Sequence, residues 1–285
     1  MKIAKMVSEV RDEVQNIRKK GEKIGLVPTM GYLHKGHISL VRKSMEECSR
    51  TVVSIFVNPT QFGPSEDYNT YPRNPEMDID LLKKEGVDIL FIPSVEEMYE
   101  KNAFTSVEVP DLSKKLEGSI RPGHFRGVCT VVCKLFNIVS PDSAYFGWKD
   151  AQQLLIIKKM ARDLNIPVEI KGCPTLREND GLAISSRNVY IPAETRGNAV
   201  ALYRGLSRIK EMAEKECVRK VSILAEEGRK VIENFPGVEI QYLEIVDADN
   251  LDSVKTIEGK VLALGAVRMS GIRLIDNVLI DLKST

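Results

Sequence analysis

Ile24-Gly25-Leu26-Val27-Pro28-Thr29-Met30-Gly31-Tyr32-Leu33-His34-Lys35-Gly36-His37 is the stretch on which the fold turns. Its first four residues form an apolar run that predicts a buried strand, ended by Pro28. From Gly36 onward, Leu40, Val41, Ser44, Met45 and Cys48 recur at helical spacing, with His37 on the same face in the first turn. A strand that gives way to a helix across a glycine turn is the place where α/β proteins bind nucleotide phosphates. Free N–H groups and the positive end of the helix dipole both face an anion there. Gly31 and Gly36 allow the backbone to come close. The chain has only three histidines, and all of them lie in His34-Lys35-Gly36-His37 or in Arg121-Pro122-Gly123-His124-Phe125-Arg126-Gly127.

Outward from this junction, strands and helices alternate. Thr51 to Val57 is a β-branched strand broken by Asn58-Pro59, and Thr60 to Asn74 is a long polar loop. Pro75 opens a helix through Lys84 that Gly86 ends, and Val87 to Ile92 is a third strand. Arg126 to Val139 is a helix and Ala144 to Phe146 a strand. Asp150 is a natural N-cap for a helix with Leu154, Ile157, Ala161 and Leu164 on its core face, and Val168 to Ile170 is another strand. The pattern predicts an α/β fold, a Rossmann-like parallel sheet with helices on both faces and right-handed crossovers. Near residue 176 it changes: helices at 193–215 and 218–234 precede strands around 238–246, 260–267 and 272–280. The expected organisation is a domain over 1–176 and a smaller C-terminal α+β domain over 177–285.

Composition excludes several classes. The 285-residue chain has a formal charge of +1 with both signs interspersed, so charge makes no case for nucleic acid or a membrane surface as partner. No run approaches the ~20 apolar residues of a membrane span. Met1 to Lys20 lacks a signal-peptide core, so a cytoplasmic location is expected. The five cysteines are scattered and suggest no disulfide framework. Cys129 and Cys133 share a helix, but a zinc site would need two further ligands and only His124 is near, so buried thiols are the simpler reading. No Gly-x-x-x-x-Gly-Lys-Ser/Thr or Gly-x-Gly-x-x-Gly occurs, which disfavours simple kinases and dehydrogenases.

Four motifs carry chemistry. His34 and His37 can both offer N–H donors to one phosphate, which suits attack on an α-phosphate while pyrophosphate leaves. Gly147-Trp148-Lys149-Asp150-Ala151-Gln152-Gln153 follows a strand; Lys149 is a candidate for the phosphates and Gln153 for a polar substrate, while Asp150 is at least a cap. Ile184-Ser185-Ser186-Arg187 reads as a phosphate clamp or as a helix cap beside a surface arginine. Asn58 and Gln61 are placed for a small hydroxy acid. His124 faces a carboxylate or is satisfied by backbone. Asp78 and Asp80 either touch magnesium or belong to a solvated helix face.

In this order and spacing, the motifs, together with Leu274-Ile275-Asp276-Asn277, resemble the pantoate–β-alanine ligase family of the HxGH nucleotidyltransferase-like superfamily along essentially the whole chain. The resemblance implies a Rossmann-like domain, a small C-terminal lid domain and a homodimer. It implies ATP, accompanied by Mg2+, as substrate with pantoate and β-alanine, no tightly bound organic cofactor, and a pantoyl-adenylate intermediate. Met30, Gly31, Tyr32, Leu33, His34, Lys35, Gly36 and His37 would hold ATP, with His37 catalytic beside His34 and Lys149. Gly147, Trp148, Lys149, Asp150, Leu176, Ile184, Ser185, Ser186 and Arg187 would also bind ATP. Gln61 would bind pantoate and β-alanine, and Gln153 pantoate. Trp148 and Ile184 depart from the family pattern, without removing a charged or hydrogen-bonding group. An adenylyltransferase with a phosphate-ester acceptor would want more positive charge than Asn58, Gln61 and Gln153 offer. A non-catalytic nucleotide-binding module would have no use for separate acid and amine pockets.

Overall fold

The computed structural model describes residues 1–64 and 66–282. The chain divides into two units: Met1–Gly147 with Gln152–Pro174, and Trp148–Ala151 with the chain from Thr175 onward.

The first unit runs β1 (Lys2–Ala4), α1 (Val7–Lys19), β2 (Ile24–Thr29), α2 (Lys35–Glu47), β3 (Arg50–Ile55), α3 (Pro75–Glu85), β4 (Ile89–Phe91), α4 (Val95–Met98), α5 (Glu117–Ile120), α6 (His124–Val139), β5 (Ser143–Gly147), α7 (Ala151–Asp163) and β6 (Glu169–Cys173). Its strands form one parallel sheet in the order β1-β4-β3-β2-β5-β6. Successive residues of a strand point to opposite faces. Val52 and Val53 are both 0% exposed, so helices cover both faces of the sheet. Right-handed crossovers put α2 and α3 on one face and α1, α6 and α7 on the other.

The order of strands also locates the site. From β2 the chain winds toward β3, and from β5 it winds the other way toward β6, although β2 and β5 are neighbours. Their connections diverge, leaving a crevice at the carboxyl ends of β2 and β5. The segment Met30 to His34 leaves β2 at that crevice.

Some local expectations are corrected. Pro28 does not end its strand but pairs with Ser54 inside β2. Pairing of β2 with β5 covers only Gly25 and Leu26, so the missing N–H of Pro28 interrupts nothing on that side. Met45 and Leu164 are exposed at 39% and 51%, and Leu164 lies in the turn just past the end of α7. The opening of the expected 193–215 helix is a 3-10 segment, Ala193–Val200, before α8 (Ala201–Glu214).

The second unit continues with α9 (Val221–Glu233), β7 (Val238–Asp247), β8 (Lys260–Met269) and β9 (Ile272–Asp281). The strands form an antiparallel sheet in the order β7-β8-β9, with β9 at an edge. Leu202, Leu206 and Ile209 of α8 and Leu224 and Ile232 of α9 share a core with Leu243, Val261 and Ala263 of the sheet. Among the described residues, no helix is long and apolar enough to cross a membrane.

Candidate active site

The turn after β2 has an uncommon backbone. Gly31 and Tyr32 have φ of +82° and +50°. A side chain at Gly31 would bring its Cβ to 2.9 Å from Ile55 Cγ2 and 3.1 Å from Asp78 Oδ2. Two side chains hold the turn. Thr29 Oγ1 donates to Ser54 O at 2.8 Å and accepts Gly31 N–H at 3.1 Å. Asp78, in the first turn of α3, accepts Tyr32 N–H on Oδ2 at 2.8 Å and Leu33 N–H on Oδ1 at 2.7 Å. This corrects the solvated-face reading of Asp78 and gives the carboxylate a structural task. The residue is 1% exposed, so it is on no solvated face, and each carboxylate oxygen already takes a backbone N–H. Burial pushes its carboxyl above the ordinary range, while the two N–H bonds pull it down. Sequence held no local sign of this, because the partners of Asp78 lie on another element.

His34 is the N-cap of α2, and its Nδ1 accepts Gly36 N–H at 3.1 Å. His37 Nδ1 in turn accepts His34 N–H at 3.4 Å. An imidazole nitrogen that accepts carries no proton, so the neutral form of each ring bears its hydrogen on Nε2. The rings stack with centroids 4.0 Å apart. Two N–H donors therefore stand side by side at the start of a helix, where the macrodipole favours an anion. Lys35 between them is exposed, and Leu33 is buried.

The second group surrounds Gln61. Asn58 is 1% exposed, and both ends of its amide are engaged within the protein. Its Nδ2 donates to Gln61 Oε1 and to Gly127 O, each at 3.1 Å. Its Oδ1 accepts Thr60 Oγ1–H at 2.9 Å and Tyr99 O–H at 2.8 Å. The expectation that Asn58 faces a substrate is thereby corrected: its hydrogen-bonding groups are taken up in holding Gln61. With Oε1 fixed, Gln61 turns its Nε2 toward Met30, 3.2 Å from Sδ. Gln61 thus presents a donor, suited to a carboxylate or hydroxyl oxygen. Helix α6 approaches closely because residue 127 is glycine; a Cβ there would run into the Thr60 carbonyl oxygen.

His124 supports the same residue from below. Its Nδ1 lies 2.8 Å from Gln61 O and its Nε2 3.1 Å from Arg121 Nη1. The guanidinium can only donate, so Nε2 accepts and Nδ1–H donates to the carbonyl. Arg121 is itself held by Glu66, through Nε–Oε1 at 2.8 Å and Nη2–Oε2 at 2.6 Å. Burial, aided by Arg121, lowers the His124 pKa to about 4. Of the two readings of His124, the backbone-satisfied one matches this geometry, and direct contact with a carboxylate is corrected.

In the Gly147 to Gln153 motif the adjacent glutamines differ. Gln152 is buried; its Nε2 donates to Leu112 O and Lys115 O and its Oε1 accepts Glu117 N–H. Gln153 is half-buried, with no side-chain hydrogen bond among the described residues. Gly147 ends β5.

In the second unit, Trp148, Lys149 and Asp150 form a 3-10 turn in which Lys149 Nζ lies 3.3 Å from Asp150 Oδ1. Asn277 Nδ2 donates to Trp148 O at 2.8 Å and to Lys149 O at 3.0 Å. Leu176, 40% exposed, accepts Ile184 N–H on its carbonyl at 3.0 Å, closing a hairpin. Ser185 caps the following 3-10 turn by accepting Arg187 N–H; Ser186 is buried and Arg187 half-buried. The capping role expected of this motif is present. Cys129 is buried, its thiol pushed up to about 12. Among the described residues, no group of three or more His, Cys, Asp or Glu side chains is placed to hold a metal ion.

A glycine turn that opens a helix at the switch point of a parallel sheet, beside an oriented amide on the neighbouring strand's loop, is the arrangement with which α/β enzymes bind phosphorylated ligands. The family model described as pantoate-beta-alanine ligase matches residues 2–279, and the chain belongs to that family. As a member it is a ligase of pantoate and β-alanine. It is 52% identical over 280 residues to the pantothenate synthetase of Thermotoga petrophila, covering 98% of this chain and 100% of the relative. It is 50% identical over 283 residues to that of Caldicellulosiruptor bescii, covering 99% and 100%. The crystal structure of the Thermus thermophilus enzyme is similar at a TM-score of 0.93 and 46% identity, covering 98% of this chain and 99% of that one. The pantoate-beta-alanine ligase of Francisella tularensis, solved in complex with beta-gamma ATP and beta-alanine, matches at a TM-score of 0.80 and 35% identity, covering 98% and 97%.

Proposed function

We propose that the protein condenses pantoate with β-alanine in two steps through pantoyl adenylate. A pantoate carboxylate oxygen forms a bond to the α-phosphorus of ATP, and the bond from that phosphorus to the bridging oxygen breaks, releasing pyrophosphate. The β-alanine nitrogen then bonds to the acyl carbon, the bond to the AMP oxygen breaks, and the amine loses its proton. The products are pantothenate and AMP.

The observation that carries this reading is that Nδ1 of each turn histidine accepts a backbone N–H. With Nδ1 of each accepting a backbone N–H, His34 and His37 direct Nε2–H donors at charge building on the phosphate. His37, His34 and Lys149 are the catalytic residues. Met30 to His37 hold ATP, together with Gly147 to Asp150, Leu176 and Ile184 to Arg187. Gln61 donates to pantoate and later to β-alanine, and Gln153 binds pantoate. Magnesium accompanies ATP as part of the substrate. The 177–285 segment is a smaller lid domain, and the enzyme is a cytoplasmic homodimer, its five thiols unpaired.

The test is to incubate the protein with ATP, magnesium and pantoate, with and without β-alanine, and identify the nucleotide product. AMP formation that requires pantoate and turns over with β-alanine is the expected result. ADP would mean a kinase-type reaction and overturn the proposal.

A further inference from the structure

Two nucleotide segments of the second unit, Trp148–Lys149 and the Leu176–Ile184 hairpin, are far apart in sequence yet tied to one dipeptide of β9. Asn277 Nδ2 donates to the carbonyls of Trp148 and Lys149. Its neighbour Asp276, 6% exposed, takes Arg177 in a two-pronged ion pair, Nη1–Oδ2 at 2.6 Å and Nη2–Oδ1 at 2.9 Å. Arg177 also donates to Gly181 O at 3.0 Å and Asn277 O at 3.3 Å, and its guanidinium lies 4.3 Å over the Tyr203 ring. Because β9 is an edge strand, its outward backbone is open to such partners. The backbone N–H of Asn277 donates to Asp276 Oδ1 at 2.8 Å, which ties the Asp276 carboxylate to the backbone that carries Asn277.

From this we infer that Asp276 and Asn277 are positioning residues for ATP, setting the Lys149 turn and the 176–187 segment in one fixed geometry. The inference rests on the assignment of Lys149 and Ile184 to Arg187 to ATP. The physical reason is preorganisation. A lysine on a turn whose carbonyls are held by a buried amide loses less freedom when it meets a phosphate than one on a loose turn. A half-buried arginine held in two prongs by a buried carboxylate likewise makes a stiff hairpin stem. Neither residue needs to touch the nucleotide.

The test combines Asn277→Ala, Asn277→Asp, Asp276→Asn, Lys149→Ala and the Asn277→Ala/Lys149→Ala pair in the full-length enzyme. Asn277→Asp keeps the shape but cannot donate to two carbonyls, so it serves where alanine does not fold. The readouts are single-turnover adenylate formation, the rate of β-alanine attack on preformed pantoyl adenylate, KM for ATP, and thermal unfolding. Either Asn277 variant is expected to slow adenylate formation about tenfold, the loss of roughly two hydrogen bonds. The amine step should be unchanged. Asp276→Asn should raise KM for ATP. In the pair, the Asn277 change should add less than about twofold to Lys149→Ala, because both act through one side chain.

Wild-type adenylate formation in folded Asn277 variants, or fully additive effects in the pair, would overturn the inference. A folded Lys149→Ala enzyme with wild-type adenylate formation would instead remove the assignment on which it rests, and the two failures are separable because Lys149→Ala is measured alone.

Discussion

The carboxylate of Asp78 accepts the backbone N–H of Leu33 at 2.7 Å, joining the start of α3 to the turn that leads into α2. With the bond to Tyr32 N–H, it keeps a left-handed Tyr32 in place one turn before the histidines. Substituting Asp78→Asn puts an NH2 group against one of these N–H donors. We expect about 1.5–3 kcal/mol of lost stability and a fall in kcat through misplacement of His34 and His37. Urea denaturation and steady-state kinetics check both. Unchanged kcat would show that the turn is held without this carboxylate.

The three histidines should show two tautomers. Long-range proton–nitrogen correlation spectra at neutral pH are expected to find the Nε2–H form for His34 and His37 and the Nδ1–H form for His124. Removing the donor in His37→Ala should lower kcat by roughly 10²–10³ while the fold survives. An Nδ1–H form at His37 would contradict its role as a phosphate-facing donor.

Close approach of α6 to Gln61 depends on Gly127. In Gly127→Ala the new methyl would press on the Thr60 carbonyl. The expected cost is about 1–3 kcal/mol, seen as a lowered Tm. A raised KM for pantoate should accompany it, because Gln61 shifts with Thr60. A stable variant with altered KM alone would mean that the helix moves without strain.

Acid should destabilise the protein in part through His124. Its folded-state pKa of about 4 lies below the ordinary value of 6.5, so folding favours the neutral ring. The contribution is intact above about pH 6.5 and is lost as pH falls toward 4, where the loss reaches about 3 kcal/mol. His124→Asn keeps a donor near Gln61 O but does not titrate. Denaturation curves from pH 7 to about 4 should therefore fall more steeply for the wild type than for the variant. Parallel curves would place the acid sensitivity elsewhere.

How far the chain's order of residues reaches can be judged from particular cases. The alternation of apolar runs, the glycine turn and the His-Lys-Gly-His spacing are local. They determined the parallel sheet, the position of α2 and the pair of histidines at its start, because periodicity and capping act within a few residues. What a buried polar side chain does was settled only in three dimensions. Asn58 looked like a substrate ligand, Asp78 like a magnesium contact or part of a solvated face, and His124 like a carboxylate partner or a backbone-satisfied ring. Each meets a backbone or side-chain group brought to it by the fold, and holds the turn or Gln61. Likewise Asp276 and Asn277 read as a family signature with no visible task until β9 met Arg177 and the Lys149 turn. Hydrogen-bonding capacity is written in the residue type, but the partner that satisfies it comes from whichever element packs alongside, and packing is a long-range property.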